Sequence, residues 1–173
     1  LLMPIADSDI QLRLSGGAAN TDPNASLGGA MSTAGGGLIV SDTLNNDMDD
    51  ITSAEASAGI TIYHGYFYKN NHGSLTYIAP KFYIASQTAS GDTSVEVALA
   101  GEAKNTAEEI VASEITAPVG EVFTTPANFA AGIALGDLDF SDYKGIWVKY
   151  IVGSSAAAIL DTYTLGVQGD TNP

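Results

Sequence analysis

The 173-residue chain contains no cysteine, which excludes a disulfide framework, a thiolate metal centre and a cysteine nucleophile. Basic residues are scarce: 6 Lys and Arg stand against 20 Asp and Glu, for a net charge of −14. Counterion release from phosphates drives nucleic-acid affinity, and so few cations neutralise few phosphates. DNA, RNA and anionic membranes are therefore not expected partners. Long apolar runs are missing too. Leu1, Leu2 and Met3 are cut short by Pro4, Asp7 and Asp9, far below a signal-peptide core or the ~20 residues of a membrane span. Met3 is a candidate for the biological start. Extended stretches of 3.6-residue apolar period are absent, and a parallel α/β sheet needs amphipathic crossover helices between its strands.

What is present describes a folded chain. Hydrophobic residues make up 45% and charged residues 15%, against ~25% charged in ordinary soluble domains, so disorder is not the expected state. The length suits one domain over residues 1–173. A strong negative charge keeps copies apart until a specific contact outweighs the repulsion, and it accommodates divalent cations.

Two-residue alternation dominates the pattern. Ile10, Leu12 and Leu14 alternate with polar neighbours as a first strand. Residues 16–37 are rich in Gly, Ala, Ser, Asn and Thr, and read as a long loop or extended arm laid on a neighbouring subunit. Residues 38–40 suggest a short strand, and Leu44 and Met48, four apart, suggest one helical turn. Residues 60–69 give the strongest strand signal, being dense in β-branched and aromatic side chains. Asn70, Asn71, His72 and Gly73 have hairpin chemistry, predicting an antiparallel return through 75–78 and 81–85, with a bulge or edge at Pro80. Further strands are expected around Val95, Val97 and Leu99, and over 121–125, 144–152 and 161–168. In 144–152, Ile146, Val148, Tyr150 and Val152 share a face and Trp147 takes the other. Residues 103–113 fit a short helix or a polar strand equally. The sum is an all-β fold, an antiparallel β-sandwich that admits a jelly-roll-like arrangement, with a long Gly-rich N-terminal loop or arm.

Motifs that carry chemistry are weak. His64 lies within an aromatic strand and His72 in a turn, neither at ligand spacing, so a packed residue and a solvated one are expected. Ser141 and Lys144 match S-x-x-K, but the companion elements of penicillin-recognising enzymes are missing. The glycine clusters spell no phosphate-binding fingerprint. Asn45, Asp47 and Asp49 alternate like a calcium loop, yet Asp50 stands where that loop needs Gly and Ala56 where it needs Glu. The bland reading is a solvated acidic turn; the sharper one is a surface Ca²⁺ site on Asp47, Asp49 and Asp50. No other cofactor and no catalytic residue is expected.

Aromatics such as Tyr63, Tyr66, Tyr68, Tyr77 and Phe82 occupy both faces of neighbouring strands. One face should be core. The second is either an interface, where Tyr is enriched, or a sheet covered on both sides within the domain. Asn20, Asp22, Pro23 and Leu27 on the loop, with Tyr66, Tyr68 and Trp147 on the strands, are the interface candidates.

Several segments resemble a group of small tailed-bacteriophage virion proteins: DIQLRLSGGAANTDPNASLGGA at 9–30, DITSAEASAG at 50–59, YKNNHGSLT at 68–76, ALGD at 134–137 and LGVQGDT at 165–171. They span most of the chain, and the first is the most distinctive. The resemblance implies a virion structural protein without catalytic residues, and leaves open which part of the virion. Together with the charge, it suggests a capsid decoration or cement protein on the outer head surface. Its partners would be the major capsid protein or other virion subunits, and it would form a trimer or dimer at a symmetry axis. The alternatives are a tail, neck or baseplate component, or a receptor- or glycan-binding β-sandwich in which Trp147 and tyrosines stack on sugars.

Overall fold

The computed structural model describes residues 4–158 and 160–171. Among these residues eight strands form two antiparallel sheets: β1 (Ile10–Leu14), β2 (Leu38–Ile39), β3 (Ile60–Asn70), β4 (Tyr77–Ser86), β5 (Thr93–Leu99), β6 (Ile133–Ala134), β7 (Tyr143–Val152) and β8 (Thr164–Thr171). The larger sheet runs β2-β1-β3-β7-β5 and the smaller β6-β4-β8. The protein is thus an all-β sandwich, as the alternation predicts.

β3 is the spine, pairing with β1 over Leu14↔Tyr66 and with β7 over Gly65↔Trp147. Alternation sorts its side chains. Tyr66 and Tyr68 join Leu14, Ile146, Val148, Val95 and Val97 in the main core, against Phe82 and Ile84 of the smaller sheet. Tyr63, Gly65 and Phe67 face the other way, alongside Trp147, where a second cluster of Ala98, Ala100 and Val111 forms.

The single α-helix among the described residues, α1 (Ser53–Ala58), precedes β3. Its start is a reciprocal cap between Thr52 and Glu55, which supplies partners to otherwise orphan amides. Gly59, at φ 80°, ends it in a conformation that favours glycine.

Four expectations are corrected. The turn after β3 is not a hairpin, because β4 belongs to the other sheet and pairs with β6 and β8. Asn70 enforces the crossing: its buried amide donates to Leu75 O just after the turn and to Leu138 O far along the chain, and His72 Nδ1 accepts the amides of Ser74 and Leu75. Residues 44–48 form turns rather than a helical turn, with Asp42 and Asn45 at positive φ. Residues 103–113 are neither helix nor strand, since Asn105 binds Asp142 and Glu108 bridges to Gly29, taking the backbone out of any local ladder. Residues 121–125 contribute one bridge, Val97↔Thr124, and Pro126, which has no N–H, follows directly. The bulge expected at Pro80 is present, as a register shift between Ile78 and Lys81.

Residues 16–37 do not project as an arm. They fold over the outer face of β1 and β3, with Gly16 N–H bonded to Gly28 O, Ser32 N–H to Leu14 O and Gly65 N–H to Ser26 O. Residues 100–125 lie beside them, joined by Gly29↔Glu108 and by Val111 N–H to Leu27 O. The larger sheet therefore has two covers, the smaller sheet on its inner face and a layer of loops on its outer face. No described helix is long and apolar enough to cross a membrane.

Candidate functional site

The loop cover is anchored by polar groups. Arg13, on the outer face of β1, donates from Nε to Ser32 O at 2.6 Å and from Nη2 to Ala34 O at 2.6 Å. Lys144 Nζ donates to Ala100 O at 2.7 Å and also to Glu102 O. Glu108 lies over β3 and β7 where Gly65 and Gly145 leave room; a Cβ at either position would run into its carboxylate. Glu108 is 4% exposed and its oxygens make no well-formed hydrogen bond. Burial, reinforced by Glu102 and Glu121, holds its carboxyl well above the usual range; the Ile146 amide and Lys144 oppose this more weakly. Trp147 Nε1 is a second buried polar atom without a partner under the same cover.

The other feature is an open groove at the side of the sandwich, with a volume of about 1290 Å³. Loop 40–51 and α1 form one wall, residues 156–158 and 160–162 with β8 another, and the buried Tyr66, Tyr68 and Tyr150 lie beneath. Asp47 sits within it, accepting from Tyr163 Oη at 2.5 Å through its carboxylate and from Tyr66 Oη through its backbone carbonyl. Both phenols are pushed well above their ordinary range, first by burial and then by the Asp47 charge.

These positions correct the expected site. Tyr66, Tyr68 and Trp147 are core residues at 0%, 3% and 0% exposure, and present no surface to a partner or a sugar. The loop layer buries their sheet on its second side, and that layer has no periodicity from which its docking could be read. Leu27 packs half-buried against the second cluster, and Asn20 donates its side-chain amide to Ser15 O. Asp22 is exposed and caps the turn Pro23–Ala25 by accepting from Asn24 N–H at 3.0 Å. The calcium candidates diverge: Asp47 is engaged with Tyr163, Asp49 with Asn24 at 3.1 Å, and Asp50 is exposed. Among the described residues, no three His, Asp or Glu side chains gather as an ion's ligands.

His64 is buried, as expected of a packed residue, with Nδ1 3.0 Å from Asp47 O and Nε2 3.8 Å from Glu114 Oε2. Lys144 is committed to carbonyls rather than to Ser141. Glu108 and Arg13 were not legible as anchors beforehand, because the groups they meet lie far along the chain.

Nine large apolar side chains among the described residues are exposed: Val40, Leu44 and Leu160 at the groove, Phe129 and Phe140 on other turns, and four on the loop cover. Ile110, Ile115, Val119 and Val122 are 75%, 62%, 80% and 74% exposed, all within one irregular segment. Compared with family models, with curated proteins and with solved structures, the chain matches none.

Proposed function

We propose that this chain is a structural subunit of a tailed-phage virion, acting as a decoration protein on the outer surface of the head and binding the major capsid protein as part of a homo-oligomer. The observation that carries the reading is the apolar segment on the loop cover. Four aliphatic side chains held out by the loop layer favour burial against another protein, since each gains about 1.5–3 kcal/mol when removed from water. Their presence on irregular backbone suits an adaptable contact.

Charge supports the outer placement. At −14 the subunit is repelled by packaged DNA, and repulsion between free copies keeps them dispersed until a specific site is met. The segments resembling virion proteins support the same class. Placement in a tail, neck or baseplate would use the same surface; the receptor- or glycan-binding reading loses its stacking residue with Trp147 buried.

The test is rebinding. Purified protein added to heads stripped of their decoration should co-sediment with them and raise the temperature at which they release DNA. Replacing Ile115 and Val119 together by Ser should abolish both effects while leaving the fold's circular dichroism unchanged. Co-sedimentation with tails alone would move the subunit to the tail, and binding to neither would overturn the reading.

A further inference from the structure

β8 is an edge strand, and its free edge faces the groove. Ile84 N–H points away from β8, donating to Pro126 O. Leu165, opposite Ile84, therefore directs its own N–H and C=O outward, and Val167, opposite Phe82 in the same unshifted register, does likewise. Among the described residues neither Leu165 nor Val167 has a backbone partner on that side. Both line the groove, so unpaired backbone donors and acceptors run along one wall of an open slot. Such an edge is a template for one more strand.

The walls specify the charge of that strand. Asp7, Asp42, Asp47, Asp49, Asp50 and Asp161 line the groove, and no Lys or Arg does. A second copy of this chain is a poor occupant, because β8 carries Asp170 and no cation, and each copy brings −14. We infer that the groove binds an extended basic segment of a different protein, which adds to β8 as a strand antiparallel or parallel to it, with apolar side chains toward the exposed Val40, Leu44 and Leu160 and Lys or Arg toward the aspartates. This rests on the structural-subunit reading and names the chemistry of one partner within it.

The probe is a peptide of about ten residues alternating Lys and Val, long enough to span β8. Its comparison peptides are an alternating Glu and Val sequence, and the Lys peptide N-methylated at every second residue so that one edge cannot pair. In the free protein the Leu165 and Val167 amides should exchange rapidly. Adding the Lys peptide should slow their exchange at least tenfold, while the Glu and N-methylated peptides leave it unchanged. Asp42→Asn, Asp49→Asn and Asp50→Asn combined should weaken binding at least tenfold and flatten its dependence on salt.

Binding of the Lys peptide without protection of Leu165 and Val167 would mean adsorption to an acidic surface, and would overturn the inference. So would equal binding of the Glu peptide. Protection of both amides in the peptide-free protein, lost on dilution, would assign the edge to a second copy instead. The two readings fail separately: heads rebound normally by the triple Asn variant would leave the subunit role standing and remove the groove from it, whereas peptide capture without head binding would do the reverse.

Discussion

The two covers of the larger sheet are built on different principles. Its inner face meets another sheet, and the contact is mainly apolar, with Phe82 and Ile84 packed on Tyr68, Val97 and Val148. Its outer face meets loops, whose backbone groups cannot pair among themselves as strands do, and polar anchors occupy the contact: Arg13, Lys144 and the unpaired carboxyl of Glu108. A regular cover can be wholly greasy because its hydrogen bonds are satisfied along its own length. An irregular one must hold itself down by side chains that are costly to bury.

The comparison breaks most visibly on removal of an inner side chain. Phe82→Ala should lower stability by about 3–5 kcal/mol, because the cavity has little room to collapse between two sheets. Urea unfolding would measure this, and every amide of both sheets should lose protection together.

Arg13→Ala is expected to cost less, about 2–3 kcal/mol from the loss of charged hydrogen bonds to Ser32 and Ala34. Its effect should be local. Hydrogen exchange should rise across 16–37 while β4 and β8 keep their protection; a uniform loss would mean that the two covers are one cooperative unit.

Acidity should separate the covers next. Glu108 is raised above its ordinary 4.5, so above that pH the unfolded chain loses a proton that the folded chain retains. Stability is then full below 4.5 and falls as pH rises towards the folded value, at about 1.4 kcal/mol per pH unit while only the unfolded state is ionised. Glu108→Gln should remove most of the slope, and Glu121→Gln a smaller part, its carboxyl being raised in the same direction. Asp142 and Asp161, held low by their hydrogen-bond donors, act oppositely and lose their contribution as pH drops below about 3.8. Urea midpoints from about pH 2 to about pH 8, on the order of one point per pH unit, would resolve the two trends.

The smallest effect belongs to Asp22→Ala, about 0.5–1 kcal/mol from a lost turn cap. Thermal denaturation should register it as a slight decrease with no change in exchange beyond 16–37.

How much the sequence could tell follows the same division. β3 and β7 were legible because alternation is a local property: Ile146, Val148 and Tyr150 had to share a face and Trp147 had to leave it. What lay over Trp147 was not legible, because the cover depends on Gly29 meeting Glu108, a contact between distant segments that neither announces. Reading that face as bare made Tyr66, Tyr68 and Trp147 interface candidates, although Tyr66 and Tyr68 belong to the inner core and Trp147 lies under the loops. The turn at Asn70 failed for a related reason. Its residues favour tight turning wherever the next strand goes, and the destination is set by Leu138, far along the chain, accepting from the Asn70 amide. The ALGD segment acts at a distance in the same way: Asp137 accepts the amide of Ala79 and steadies the bulged approach to Pro80.

The chain has one tryptophan, and it sits beneath the loops rather than between the sheets. Its emission therefore gauges hydration on that side alone, whereas tyrosine signals average over both. An unlabelled sample thus carries its own indicator: a red shift at constant far-ultraviolet ellipticity would reveal the loops lifting while the strands stay paired.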